Sequence, residues 1–182
     1  MSLRTGIYTI TNSKVPLVLD LADGKSADKT LILGWPEHLA DSGLPFLNQL
    51  WLVRKLSDSV YSLQNLAGGT YMDMSLDSGS NSANANGNVV YGFHANDGTA
   101  SHKANQKWEI IAAGQFYKLR NVQGKTYLDL AAGGTSNGTK IQTWEAASTN
   151  NASNQLWKLK AHCHGEDQIQ TYEEASPYFV VK

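Results

Sequence analysis

The chain holds little with which to perform covalent chemistry or cross a membrane. One cysteine, Cys163, stands among 182 residues, which excludes an internal disulfide and suits a reducing compartment. Charged residues make up 17% and the net charge is −1. No basic stripe is there to follow a phosphate backbone, so no nucleic-acid partner is expected. No apolar run approaches the roughly 18 residues of a membrane-spanning helix, and no membrane insertion is expected. Met1-Ser-Leu-Arg-Thr-Gly6 leads straight into a strand-like run without the apolar segment of a secretory signal, so the expected localisation is cytoplasmic. There is no Gly-x-Ser-x-Gly elbow, no His-Glu-x-x-His pair and no phosphate-binding glycine loop. Glu173 and Glu174 lie in a terminal segment that offers no fixed geometry to a general acid. An enzyme is not expected. His162-Cys-His164 is rich in ligand atoms, but three consecutive residues cannot converge on one ion, and neither a metal nor another cofactor is expected.

What the chain does have is repetition. The runs Tyr8-Thr-Ile-Thr-Asn12, Val18-Leu-Asp-Leu21, Leu31-Ile-Leu-Gly-Trp35 and Asn48-Gln-Leu-Trp51 recur in the same order. They return as Tyr61–Asn65, Tyr71–Met74, Val89–Phe93 and Asn105–Trp108, and again as Tyr117–Asn121, Tyr127–Leu130, Lys140–Trp144 and Asn154–Trp157. Tyr8, Tyr61 and Tyr117 stand 53 and 56 positions apart. A period near fifty with four strand-like runs is a unit that cannot bury its own apolar face, so the copies must share a core. A propeller of four-stranded blades usually needs at least about four blades. Three copies therefore predict an all-β fold, a β-trefoil of three four-stranded repeats with pseudo-threefold symmetry.

Three ordered Gln-x-Trp signatures, each preceded by Asn and with a Leu-Asp-Leu-type run upstream, resemble the ricin-B-type β-trefoil lectins. Within that group the chain is most similar to the compact intracellular mushroom lectins. The resemblance covers Gly6 to Ala161. It implies a lectin domain over 1–161, in repeats of about 6–56, 57–113 and 114–161, followed by a tail at 162–182. The lack of a disulfide departs from the secreted toxins of the group and agrees with its cytosolic members. Tyr178 to Val181 could add a strand to the barrel or to a partner.

A sugar ring is amphipathic, with C–H groups on one face and hydroxyls at its edges. A site for it needs a flat aromatic wall and a few fixed donors and acceptors. The resemblance implies Asp as hydroxyl acceptor, the aromatic of the third run as stacking wall, and the Asn before Gln-x-Trp as amide contact. The sets are Asp20, Trp35 and Asn48; Asp73, Phe93 and Asn105; Asp129, Trp144 and Asn154. Gln142 matches a further contact position of the family. The first repeat has Leu33 there, and His38 is its candidate for the missing polarity. Asp20 to Trp35 and Asp129 to Trp144 are both 15 positions, whereas Asp73 to Phe93 is 20. The insertion Asp77–Asn88 reads as a polar surface loop, and the first and third sites are favoured over the second.

The family resemblance implies galactose or N-acetylgalactosamine-type glycans as partners. Each pocket offers one wall and a few hydrogen bonds, so binding is expected to be multivalent, through two sites on one chain or one site on each chain of a homodimer, and a defence or agglutinating role would follow. Trp51, Trp108 and Trp157 read as core. Gln49, Gln106 and Gln155 read as braces for the site Asp or a backbone group. A reading of another class is a trefoil protease inhibitor resembling the mycocypins, acting through the loops Pro36–Leu47 and Asp77–Asn88. Inhibition has no need of a threefold Asp–aromatic–Asn set.

Overall fold

The computed structural model describes residues 3–40, 43, 45–76, 82–95, 103–146, 152–165 and 169. Twelve strands and five three-residue 3-10 turns make up its named elements. Six strands form a ring: β1 (Gly6–Asn12), β4 (Trp51–Lys55), β5 (Val60–Asn65), β8 (Trp108–Ala113), β9 (Phe116–Asn121) and β12 (Trp157–His164). Each pairs antiparallel with the next, and β12 returns to β1. The other six form three hairpins: β2 (Leu17–Leu21) with β3 (Thr30–Pro36), β6 (Tyr71–Met74) with β7 (Asn88–Phe93), and β10 (Tyr127–Leu130) with β11 (Thr139–Trp144). β3 pairs with β7, β7 with β11 and β11 with β3, so the hairpins form a triangular cap. Two barrel strands and one cap hairpin per repeat make a β-trefoil. Ring and cap both close on themselves, which leaves no long unpaired edge among the described residues.

The signature tryptophans explain why cap and barrel stay together. Trp51, Trp108 and Trp157 are fully buried in one core with Tyr8, Tyr61, Leu19, Met72 and Leu128. Each indole N–H donates to a cap-strand carbonyl: Leu19 at 3.0 Å, Met72 at 3.0 Å and Leu128 at 3.1 Å. A buried indole needs such an acceptor, and here the acceptor is the strand that carries the site Asp. The asparagines that end the first strand of each repeat form a second set of ties. Asn12, Asn65 and Asn121 donate their amide N–H to the backbone carbonyls of Asn154, Asn48 and Asn105 at 3.0, 2.8 and 2.9 Å. Their Oδ1 atoms accept the backbone N–H two residues on, from Lys14, Ala67 and Gln123. These Asx turns clamp the residues that carry the site amides.

Three expectations change. The alternation of Tyr8 and Ile10 with Thr9 and Thr11 by itself predicts a half-buried strand, but Thr9 is buried, its hydroxyl 2.7 Å from His162 Nε2. The domain was expected to end at Ala161, yet β12 runs to His164, pairing His164 with Gly6 and Cys163 with Ile7. The His-Cys-His triplet is thus strand, with its middle residue buried. Cys163 and Ile169 pack on Ile7, Leu50, Leu52 and Leu66, which face away from the main core. The reason lies in the sequence: Leu52 stands where the other repeats have Glu109 and Lys158, so this outer face is apolar and takes a cover. Finally, in the polar insertion, Ala83 packs on the core, and Asn88 is buried, donating to the carbonyls of Ser82 and Ala83 at 3.0 and 3.1 Å. Residues 77–81 and Tyr178–Val181 lie outside the described residues.

Candidate functional site

Hairpin register brings each expected Asp and aromatic to one face. Val18 pairs with Trp35 and Asp20 with Leu33; Tyr71 with Phe93 and Asp73 with Tyr91; Tyr127 with Trp144 and Asp129 with Gln142. Side chains alternate along a strand. Leu19, Met72 and Leu128 enter the core, and the Asp–aromatic face is the opposite one. Phe93 holds the same register as the two tryptophans, contrary to what its 20-residue spacing suggested. The five extra residues are absorbed between β6 and β7, where a hairpin tolerates length without changing its pairing.

The third site is the most open. Asp129 is 3% exposed. Its Oδ1 accepts from Gln142 Nε2 at 3.2 Å, and its Oδ2 accepts from Asn154 Nδ2 at 2.7 Å and Gln155 Nε2 at 3.0 Å. Burial pushes the carboxyl above its ordinary value, while the Gln155 and Gln142 amides pull it back. A carboxylate offers about four lone-pair positions; three amides leave one, on Oδ1, for an incoming hydroxyl. Trp144 is 40% exposed. It shares with Asp129, Gln142, Asn154 and the small residues Ala131, Ala132 and Ala146 a cleft of about 760 Å³. Gln155 Nε2 also donates to the Glu145 carbonyl at 2.9 Å, so one amide fixes the acid and the strand end beyond the tryptophan.

The first site repeats this plan with different fittings. Gln49 Nε2 donates to Asp20 Oδ2 at 2.8 Å and to the Pro36 carbonyl at 2.9 Å, while its Oε1 accepts the His38 backbone N–H at 2.8 Å. Burial raises the Asp20 carboxyl, and Gln49, Asn48 and His38 lower it. Trp35 is half-buried and His38 exposed. Leu33, opposite Asp20, has no polar atom to offer. At the rim, Asp23 (φ 54°) takes the left-handed conformation that Ala132 (φ 53°) takes in the third repeat, and it bonds Lys25 Nζ at 2.9 Å.

The second site keeps the set but buries its amide. Asn105 is buried, donating to Asp73 Oδ1 at 2.9 Å and the Met74 carbonyl at 3.2 Å. Its Oδ1 has no partner among the described residues. Tyr91 replaces Gln142 and lies 5.9 Å from the Phe93 ring. The signature glutamine braces backbone here, Gln106 Nε2 donating to the His94 carbonyl at 2.9 Å.

Two residues at these sites escaped the repeat pattern because they come from a neighbouring repeat. Asn86 Oδ1 accepts the Glu145 backbone N–H beside Trp144 at 2.6 Å, and Asp28 Oδ1 accepts the His94 N–H beside Phe93 at 2.8 Å. Each precedes a residue with positive φ, Gly87 and Lys29. The matching position at the first site is Pro36, which has no N–H to give. In the sequence only Asn86-Gly87 carries a turn signal; Asp28-Lys29 carries none.

Fold and sites together define a β-trefoil that carries Asp–aromatic–Asn clefts on its cap. Residues 47–144 and 104–175 match the model of the ricin-type beta-trefoil lectin domain-like family, and the chain belongs to that family. No curated protein matches it by sequence. Among solved structures, the Rhizoctonia solani agglutinin is 27% identical with a TM-score of 0.68, over 89% of this chain and 99% of that one. The Macrolepiota procera ricin B-like lectin, solved in complex with lactose, is 22% identical with a TM-score of 0.65, over 88% and 99%. The designed threefold-symmetric protein ThreeFoil is 22% identical with a TM-score of 0.69, over 85% and 97%; at this identity the last two speak for the fold. Membership of a lectin-domain family supports carbohydrate binding.

Proposed function

We propose that the protein is a lectin for galactose and N-acetylgalactosamine-type glycans, working through the first and third sites and without catalysis. The observation that carries this is Asp129, held by three amides with one acceptor position left, beside the exposed wall of Trp144. An axial hydroxyl reaches such an acceptor while the continuous C–H face of the ring stacks on the indole. The buried amide of Asn105 supports leaving the second site out. One wall and a few hydrogen bonds on an open surface give single-sugar affinities on the order of millimolar to tens of micromolar. Two sites on one chain, or on two chains of a homodimer, raise avidity by about 10²–10⁴. That gain suits agglutination and defence against glycan-coated surfaces. One buried thiol in the whole chain fits a cytosolic store.

A glycan array run beside a papain inhibition assay tests the reading. Galactose-terminated glycans should bind, with papain unaffected. Preference for mannose-type glycans would overturn the specificity, and papain inhibition without glycan binding would overturn the lectin.

A further inference from the structure

We infer that the first site carries a second platform, absent from the third, that stacks the sugar ring next to the one held by Asp20 and Trp35. The inference rests on the lectin reading and deepens it: the first site is built for a disaccharide unit, the third for a single terminal sugar. Phe46 is 46% exposed and Leu39 57%, although both sit on backbone pinned to the site. The Phe46 N–H donates to the His38 carbonyl at 3.1 Å, and the Phe46 carbonyl accepts the Gln49 N–H at 2.8 Å. A bridge between Leu39 and Pro45 closes the loop behind them. Gln49 in turn holds both the His38 N–H and the Asp20 carboxylate, so Phe46 stands two hydrogen bonds from the acceptor. The His38 ring lies edge-on to Phe46, centroids 5.9 Å apart and planes at 89°.

Apolar side chains left open on an anchored loop need a partner surface, and the company they keep says which. The polar group beside the Phe46 ring is the exposed His38 imidazole that stands edge-on to it. A hydrocarbon chain would leave that polar group to be desolvated without a partner. A second sugar ring presents a C–H face to Phe46 and hydroxyls to His38. Between Trp144 and Asn154 the third repeat has only Glu, Ala, Ser, Thr and Asn, so that segment has no aromatic or large apolar side chain to offer.

The test is a titration of the full chain read through the Trp35 and Trp144 indole N–H resonances, with methyl β-galactoside and lactose as probes. Lactose should bind tighter than methyl β-galactoside at Trp35, by about three- to tenfold for one aromatic–ring contact, and equally at Trp144. Phe46→Ala should remove the lactose advantage at Trp35 and leave methyl β-galactoside binding and the Trp144 site unchanged. An equal lactose advantage at both tryptophans, or one that survives Phe46→Ala, overturns the inference while the lectin reading stands. If neither galactoside moves Trp35, the reading of that site falls, and the platform with it. A gain seen with phenyl β-galactoside but not with lactose would replace the second sugar by an apolar aglycone and overturn the inference.

Discussion

The first and third sites share a scaffold and differ in what surrounds the acid. At the third, Asp129 faces Gln142 and small alanines, with Trp144 in the open. At the first, Asp20 faces Leu33, with the charged Asp23 at its rim and an anchored loop of His38, Leu39 and Phe46 to one side. The invariants are the parts that fix geometry: the hairpin register, the Gln brace, the Asn turn and the Trp beneath. The variables are the parts a ligand meets. One repeat thus supplies a rigid frame whose contacts can diverge without unsettling the barrel.

The largest effect should come from removing what both sites share. Trp108→Ala leaves a cavity in the common core and the Met72 carbonyl without its donor, and should cost about 3–5 kcal/mol. Chemical denaturation measures it, and both sites should weaken together. Asp129→Ala and Asp20→Ala should separate the sites instead. Each removes one charge-assisted acceptor, about 1.5–3 kcal/mol, so affinity falls by roughly ten- to a hundredfold at that site alone. Agglutination should fall further than single-sugar binding, because it needs both. If the double variant still binds glycans, neither cleft is the site.

A swap sharpens the contrast. Gln142→Leu makes the third site resemble the first, and Leu33→Gln the reverse. Each should move affinity at its own site by about 1 kcal/mol, the worth of a hydrogen bond, down for the first variant and up for the second. Isothermal titration with galactose reads both. The smallest effect is in pH. Burial raises Asp20 and Asp129 above their ordinary 3.8, so their ionised forms are disfavoured in the fold. Their contribution to stability is full below pH 3.8 and is lost as pH rises through the raised values. Binding needs the ionised acceptor and runs the other way. On acidification, sugar binding should therefore fail above pH 3.8 while these two groups begin to favour the fold. Binding that persists unchanged down to pH 3.8 would contradict the raised carboxyls.

Much of this was legible in the chain. The threefold Asn-Gln-x-Trp run located Trp51, Trp108 and Trp157 in the core, and the Leu-Asp-Leu alternation turned the acids to the outer face. The bracing role of Gln49 and Gln155 was readable too, since a buried amide beside a buried acid has few other uses. What escaped reading depends on pairing between repeats. Asp28 and Asn86 serve sites in the next repeat, and spacing within one repeat does not reveal a hydrogen-bond partner 59 positions away, as for Asn86 and Glu145. Phe93 misled because spacing counts residues whereas register counts pairs. The fate of His162–His164 was readable only from a distant part of the chain, in the two-faced apolar β4 that Cys163 helps to cover.

The central proposal is two unequal sugar sites on one chain and none at the second, whose amide Asn105 is buried. The five tryptophans report on it directly: Trp35 and Trp144 line sites, while Trp51, Trp108 and Trp157 are core. A lactose titration followed at all five indole N–H resonances should move Trp35 and Trp144 with different dissociation constants and leave the other three still. Movement of the three core indoles with Trp35 and Trp144 silent, or one shared constant for both, would contradict it.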